Sequence, residues 1–235
     1  WHLAANTAAQ RIISEAGGIA PLVMLLSGTS LEAARYAAGT LWHLEASADN
    51  KGAIVRAGAI PPLVILLRKS ESPEAQEAAA LVLSDLARSQ AGNKAITTAA
   101  GIPSLVAVLL NGSREAQKHA ASALWGLTAG TAGAGPVSTT VEHNLQAVTQ
   151  AGAIPMLVRL ISRSSDTQGY AVAALNNLSL LESARSAMLE QEVVPQLRSL
   201  ISGPQTWMKG QAVETLQNLG VDVEHGPAKL NVETA

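Results

Sequence analysis

The sequence predicts an all-α fold in which helical repeats stack into an elongated α-solenoid, and three observations support this. An apolar segment recurs along the chain as AGGIAPLVMLL at 16–26, AGAIPPLVILL at 57–67, AGIPSLVAVLL at 100–110, AGAIPMLVRLI at 151–161 and a weaker copy, EVVPQLRSLI, at 192–201. Its equivalent leucines, which recur at intervals of 41, 42, 52 and 40 residues, are Leu22, Leu63, Leu105, Leu157 and Leu197. A period of about 40–47 residues with helical patterning is typical of stacked two- or three-helix repeats. The composition is 48% hydrophobic and 14% charged with no Phe, which suits an aliphatic core between closely packed helices.

Each copy of this segment predicts a short helix. In the second copy Leu63, Val64, Leu66 and Leu67 lie at helical spacing along one stripe. The proline near the start of each copy fits the first turn of a helix, because a backbone N–H there has no intrahelical partner.

A longer, Ala-rich helix is predicted after each short one. A capping hydroxyl precedes an acidic residue in Thr29-Ser30-Leu31-Glu32, Ser72-Pro73-Glu74 and Gly112-Ser113-Arg114-Glu115. The long helices end in a recurring frame: Trp42-His43-Leu44, Ser84-Asp85-Leu86, Trp125-Gly126-Leu127, Asn176-Asn177-Leu178 and Gln217-Asn218-Leu219. Trp1-His2-Leu3 repeats this frame, so we expect the solenoid to continue upstream as part of a longer chain or larger assembly.

The chain is predicted to form one repeat domain and a tail. Residues 1–221 should form the solenoid, with about five repeats of which the first and last are incomplete. The long 52-residue interval places an inserted loop at 128–143, a stretch rich in Gly, Ala and Thr. Residues 222–235 form a polar C-terminal tail without periodicity.

Composition also limits the classes of partner. The formal net charge is −2 with both signs interspersed, so the sequence has no basic stripe and nucleic acid is not expected to bind. The apolar stretch at 57–67 contains proline and is shorter than the roughly 18 residues of a membrane span, so direct membrane insertion is not expected. The absence of Cys fits a reducing compartment, and we expect a cytoplasmic protein, with the nucleus as an alternative.

No pattern indicates catalysis. The five histidines are not spaced as metal ligands on one helix, and the sequence has no nucleophile elbow, kinase signature or phosphate-binding loop. We therefore expect no enzyme activity, no catalytic residue, no metal and no cofactor.

One stretch of the chain contains A-A-G-T-L-W-H-L at 37–44, Asn50-Lys51, Ile54 and A-G-A-I-P at 57–61. This pattern closely resembles the consensus of the armadillo repeat family, and related copies extend the resemblance over about 220 residues. It implies three helices per repeat, stacked into a right-handed superhelix whose third helices line a concave groove. Members of the family bind partner proteins in this groove, usually as extended segments, and a helix of a partner is an alternative.

The resemblance also implies particular groove positions. An asparagine in the third helix of many members fixes the partner's backbone, and here this position holds His2, His43, Asp85, Gly126, Asn177 and Asn218. Only Asn177 and Asn218 match the family residue. Import receptors of the importin-alpha type carry tryptophan four residues earlier, where this chain has Gly39, Leu81, Ser122, Ala173 and Glu214. A nuclear import receptor is therefore disfavoured.

Further groove candidates lie one and two turns earlier on the same helix face: Arg35, Tyr36, Glu77, Lys118, His119 and Tyr170. Aromatic and arginine side chains are favoured as binding anchors. We interpret Trp42 and Trp125 as filling space between repeats. His2 and His43 occupy equivalent positions, so they could bind a partner in a pH-sensitive way.

These observations favour a non-catalytic scaffold or adaptor that binds a partner protein through the groove. Two alternatives remain open. The chain could be the substrate-recognition region of a larger ubiquitin ligase, or a structural component of a large cytoskeletal or axonemal assembly.

Overall fold

The chain is helical throughout the part that the computed structural model describes, residues 2–69, 71–129, 139–162 and 166–223. A 3-10 turn (His2–Ala5) precedes fifteen α-helices, and these ranges contain no strand. In chain order the helices are α1 (Thr7–Glu15), α2 (Ile19–Leu26), α3 (Leu31–Leu44), α4 (Ala48–Arg56), α5 (Ile60–Lys69), α6 (Pro73–Leu86), α7 (Gln90–Thr98), α8 (Gly101–Asn111), α9 (Arg114–Thr128), α10 (Thr139–Gln150), α11 (Ala153–Ile161), α12 (Thr167–Leu178), α13 (Glu182–Glu190), α14 (Val193–Ile201) and α15 (Thr206–Asn218).

The helices form five successive units of three, from α1–α3 to α13–α15. The third helices pack side by side in one layer, α3 on α6, α6 on α9, α9 on α12 and α12 on α15. The second helices α2, α5, α8, α11 and α14 pack in the same order in a layer behind them. The prediction of an all-α, right-handed solenoid of stacked three-helix repeats is confirmed.

The buried positions repeat from unit to unit, as the intervals between the leucines predict. Fully buried side chains of the second helices are Leu63, Leu105, Leu157 and Leu197. Those of the third helices are Leu41, Leu83, Leu124, Leu175 and Leu216. Burying one such side chain contributes about 1.5–3 kcal/mol, so this aliphatic core stabilises the stack.

The predicted N-terminal caps of the long helices are present. The Oγ atoms of Ser30, Ser72 and Ser113 accept hydrogen bonds from the backbone N–H groups three residues later, at 3.1, 3.2 and 3.1 Å. Each bond satisfies a donor that the helix itself leaves without a partner, so the hydroxyls fix where the third helices begin.

A side chain from the following first helix closes the C-terminal end of the 3-10 turn and of each third helix up to α12 by donating to a backbone carbonyl. The donors and carbonyl acceptors are Gln10 and Ala4 at 2.8 Å, Asn50 and Leu44 at 2.9 Å, Asn93 and Ala87 at 3.4 Å, and Arg185 and Ser179 at 3.1 Å. In the fourth unit Asn144 Nδ2 donates to the Leu127 carbonyl at 2.9 Å, although the two residues are much further apart in sequence. The same type of hydrogen bond is therefore present across the longest interval between repeats.

The inserted loop predicted at residues 128–143 overlaps the two helices that flank it in the structure. Thr128 ends α9 and Thr139 begins α10, so residues 139–143 are helical rather than part of a loop. Val141, Leu145 and Val148 are buried at helical spacing and hold this segment against the core. Residues 130–138 lie outside the described part of the chain, as does the predicted tail from residue 224 onward.

Within the described ranges no single helix is long and apolar enough to cross a membrane. Three consecutive pairs, α1–α2, α4–α5 and α7–α8, meet the length and composition test together, but each pair is bent, by 89°, 78° and 84° respectively.

The turn between first and second helices requires a left-handed backbone, and two units meet this requirement without glycine. At this turn of the five units the residues with positive φ are Gly17, Gly58, Ala100, Gly152 and Glu192. Ala100 at φ 54° carries a strain that glycine would not, because its Cβ crowds the backbone in this conformation.

We expect Ala100→Gly to raise the free energy of unfolding by about 0.5–1 kcal/mol, since relief of strain exceeds the entropy gained by the unfolded chain. Gly152→Ala is the reciprocal control, because a Cβ there meets open space and only the backbone conformation is tested. Urea denaturation should show a higher free energy of unfolding for Ala100→Gly and a lower one for Gly152→Ala than for the unmodified protein. Changes in the same direction for both variants would contradict the assignment of strain to Ala100.

Candidate partner-binding groove

The exposed face of the third-helix layer, called the groove below, carries the family's asparagine positions near its helix C-termini. Asn177 Nδ2 donates to Thr128 Oγ1 at 3.2 Å, and Asn218 Nδ2 donates to Ser179 Oγ at 2.8 Å. Each hydroxyl lies two residues after the asparagine position of the preceding unit. The two amides therefore join consecutive repeats, and both side chains remain half-buried rather than enclosed.

The junction between the first two units replaces this amide–hydroxyl pair by two carboxyl groups. Asp85 stands at the asparagine position, and Glu45 stands where Thr128 and Ser179 accept the amide. Asp85 Oδ2 accepts from the indole N–H of Trp42 at 3.1 Å, and Asp85 Oδ1 lies 3.7 Å from Arg88 Nη1.

Glu45 is only 1% exposed, and neither of its carboxyl oxygens has a hydrogen-bond partner among the described residues. Burial raises the pKa of Glu45 well above its usual range, the charge of Asp85 raises it further, and Lys51 acts in the opposite direction. The site therefore favours a neutral Glu45.

Two other asparagine positions hold residues that the packing explains in part. At Gly126 an added Cβ would lie 3.2 Å from the Cβ of Ala87, so the close approach of the neighbouring unit favours glycine there. The His43 ring lies 4.7 Å from the Trp42 ring, and burial lowers the pKa of His43. The side chain of His2 lies outside the described part of the chain, so a pH-sensitive His2–His43 pair stays a prediction.

Arg35, Tyr36, Glu77 and His119 come together in a cleft between α3, α6 and α9, called the acidic cleft below. It has a volume of about 290 Å³. Its lining comprises Arg35, Tyr36, Gly39, Trp42, Glu74, Glu77, Ala78, Leu81, Glu115 and His119. Tyr36 is 41% exposed, so an aromatic wall faces the space that a partner would enter.

The acidic cleft carries an excess of negative charge. Ser113 donates to Glu77 Oε1 at 2.6 Å, and Ser72 donates to Glu74 Oε2 at 2.8 Å. The bond from Ser72 lowers the pKa of Glu74, whereas burial and then the charge of Lys118 lower the pKa of His119. Glu74, Glu77 and Glu115 therefore line this cleft together with Arg35 and with His119, whose lowered pKa favours a neutral imidazole.

Lys118 and Tyr170 contribute to a second and larger cleft between α9, α12 and α15, called the aromatic cleft below. Its volume is about 710 Å³. It is lined by Arg114, Glu115, Lys118, Asp166, Thr167, Gln168, Gly169, Tyr170, Gln205, Trp207 and Met208. Lys118 Nζ lies 3.5 Å from Glu115 and 3.7 Å from Asp166, so the charges in this cleft largely compensate one another.

The aromatic cleft is framed by two aromatic side chains. Trp207 is 53% exposed, and its ring lies against Gly169, where an added Cβ would collide with it. The Tyr170 ring lies 5.9 Å from that of Trp125, which in turn lies under the Arg88 guanidinium at 5.4 Å. Trp42 and Trp125 thus contact neighbouring repeats, and Trp42 also lines the acidic cleft.

The sequence prediction missed one row of cleft residues. Glu74, Glu115, Asp166 and Trp207 all lie eleven residues before the asparagine position of their units. Eleven residues are about three helical turns, so this row shares the groove face with the predicted candidates. Extending the search by one more turn would have found it. Glu214, also predicted, is exposed on α15 and accepts from Asn176 Nδ2 at 2.8 Å.

Within the described ranges, no group of three or more His, Asp or Glu side chains is placed to hold a metal ion. In both clefts polar side chains lie beside aromatic ones. This combination suits the recognition of a side chain of a partner.

Comparison with protein-family models gives a match to the armadillo/beta-catenin-like repeat at residues 6–44, 47–88 and 142–180. The comparison with curated proteins gives no match. Among solved structures, an engineered protein is 31% identical, with a TM-score of 0.79 and coverage of 93% of this chain and 86% of the other.

Two designed proteins are also similar. One, from computationally designed armadillo repeat proteins for modular peptide recognition, is 25% identical with a TM-score of 0.79 over 92% of this chain and 89% of the other. A designed armadillo repeat protein in complex with the peptide (KR)4 has a TM-score of 0.76 at 24% identity, over 93% of this chain and 89% of the other, and shows the shared fold.

Proposed function

The chain belongs to the armadillo repeat family, and on this premise we propose that it is a non-catalytic scaffold that holds a segment of a partner protein in its groove. Solenoids present extended surfaces of this kind as a consequence of their stacking. The similarity to armadillo proteins designed for peptide recognition supports a peptide-like segment as the bound element.

The acidic cleft is the observation that carries this proposal. Tyr36 and Trp42 offer aromatic walls, and the carboxylates of Glu74, Glu77 and Glu115 lie around them. A Lys or Arg side chain of the partner matches both features, because its apolar stem packs on the rings while its charge meets the carboxylates.

The aromatic cleft supplies a second contact on the same face. Its middle helix α12 lies two third-helix steps beyond α6, the middle helix of the acidic cleft, which at an interaxial spacing of about 8–10 Å corresponds to about 16–20 Å. An extended segment rises about 3.3 Å per residue, so about five to six residues would connect the two clefts. Trp207 and Tyr170 favour an apolar or aromatic side chain of the partner at that end.

Selection from a phage-displayed library of random peptides, each long enough to span both clefts, tests the proposal. We expect the enriched peptides to carry Lys or Arg and to bind the purified protein more weakly as salt concentration rises. Tyr36→Ala and Glu77→Gln should each weaken binding of an enriched peptide by about tenfold or more in calorimetric titrations.

Ile65→Ala is the control, since Ile65 is 50% exposed on α5 and lines neither cleft. Circular dichroism should show that all three variants unfold at temperatures close to that of the unmodified protein. Failure to enrich any peptide, or equal affinities for the cleft variants and the control, would contradict the proposal.

A further inference from the structure

The junction between the first two units differs chemically from its equivalents. At the last two junctions an asparagine amide donates to a hydroxyl of the preceding unit, Asn177 to Thr128 and Asn218 to Ser179, whereas the junction between the second and third units has Gly126 at this position. Asp85 and Glu45 occupy the corresponding positions, and an ionised carboxylate pair offers acceptors but no donor.

A single proton restores the pattern of a donor and an acceptor. A neutral Glu45 carries one O–H group and so supplies a donor, as the amides of Asn177 and Asn218 do at the last two junctions. Because Glu45 is 1% exposed and both its oxygens lack a partner, an unprotonated Glu45 would be a buried and uncompensated charge. Asp85, by contrast, is supported by the indole N–H of Trp42 and the guanidinium of Arg88.

We propose that Glu45 and Asp85 form a proton-sensitive joint between the first unit and the rest of the solenoid, closed while Glu45 is neutral and loosened when it ionises. The joint does not require any particular partner to be bound in the groove.

The charged groups around Glu45 determine which of its protonation states the closed joint favours. Burial lowers the pKa of His43 from α3, which favours its neutral form, whereas Lys51 from α4 favours the ionised form of Glu45. From α6, Asp85 opposes that ionisation, and Arg88 is engaged with Asp85. Burial acts in the same direction as Asp85, so the neutral form prevails in the closed joint.

The sign of the pH dependence follows from linkage. Between the ordinary pKa of Glu, about 4.3, and the raised pKa, the closed joint holds one proton more than the opened joint. The opening equilibrium constant should therefore rise by about tenfold per pH unit over that window and level off above it. The joint is strongest at and below the ordinary pKa.

Hydrogen exchange of the intact protein from about pH 4.5 to about pH 9 tests this joint. We expect the protection factors of amides near the C-terminus of α3 to fall as pH rises through the window, while those of α12 change much less. Carbon-13 NMR of the Glu45 carboxyl group, in protein labelled at Glu, should show directly a titration well above the ordinary range.

Two variants remove the proton requirement in different ways. Glu45→Gln supplies a neutral donor at every pH, and Asp85→Asn restores an amide that can donate to an ionised Glu45. Glu45→Gln should abolish most of the pH dependence at α3, and Asp85→Asn should lower the pKa of Glu45 and reduce that dependence. Asp49→Asn, at an exposed carboxyl group on α4, removes one negative charge and should leave the dependence unchanged.

An unchanged pH dependence in Glu45→Gln would overturn the proposal, as would a Glu45 carboxyl that titrates in the ordinary range. Loss of protection at α3 and α12 in parallel would also overturn it, because the effect would then belong to global unfolding.

Discussion

Leu63→Ala should lower the free energy of unfolding by about 2–5 kcal/mol. Leu63 is fully buried in α5, at a position that recurs as Leu105, Leu157 and Leu197 in later units. Truncation removes apolar contacts and leaves a cavity between helices that cannot fully collapse. Because each unit of a solenoid contacts only its neighbours, the loss should fall on the second unit and its two interfaces.

Urea denaturation followed by circular dichroism measures this effect, and α5 provides its own control. Ile65 is two residues away and 50% exposed, so Ile65→Ala should change stability by about 0.5 kcal/mol or less. Asn218→Ala should cost about 0.5–1.5 kcal/mol, the contribution of its hydrogen bond to Ser179. A cost for Asn218→Ala equal to that for Leu63→Ala would contradict the placement of Asn218 on the groove face.

Asn144→Ala is expected to have the next largest effect, a loss of about 2–4 kcal/mol, because it leaves several buried polar groups without partners. Asn144 is fully buried. Its Nδ2 donates to Asn93 Oδ1 at 2.7 Å and to the Leu127 carbonyl at 2.9 Å, and its Oδ1 accepts from Thr97 at 2.8 Å.

His143→Ala is the matched control for Asn144→Ala, since it changes the exposed neighbouring residue on the same helix. Hydrogen exchange should locate the loss at the end of α9, in α7 and in α10, where the broken bonds lie. Equal stabilities for the two variants would show that the network contributes little, and a uniform loss of protection along the chain would contradict its local role.

Much of the fold can be predicted from the sequence because each unit repeats the same local signals. The leucine intervals identify the buried stripe, the prolines mark the starts of the second helices, and Ser30, Ser72 and Ser113 cap the third helices as expected. The turns at Ala100 and Glu192 could not be predicted in the same way, since neither residue type favours a left-handed backbone and packing imposes it.

The candidate site is predictable only in part, for a physical reason. The resemblance to the armadillo family implies the groove face through its asparagine position, and helical periodicity counted from that position predicts Tyr36, His119 and Tyr170 on the same face. The clefts do not follow, because each is built from three third helices and depends on how adjacent units pack. Glu45 could not be recognised at all, since its unusual state arises from burial and from a neighbour on another unit.

The closure of α9 by Asn144 has a practical consequence for protein engineering. In the other units the closing side chain comes from a residue six positions further along the chain, whereas Asn144 reaches the Leu127 carbonyl from seventeen positions away. The connection between the third and fourth units is therefore expected to accept extra residues without a change in how these two units stack. A foreign epitope or a reporter peptide grafted there should leave both halves of the rod aligned.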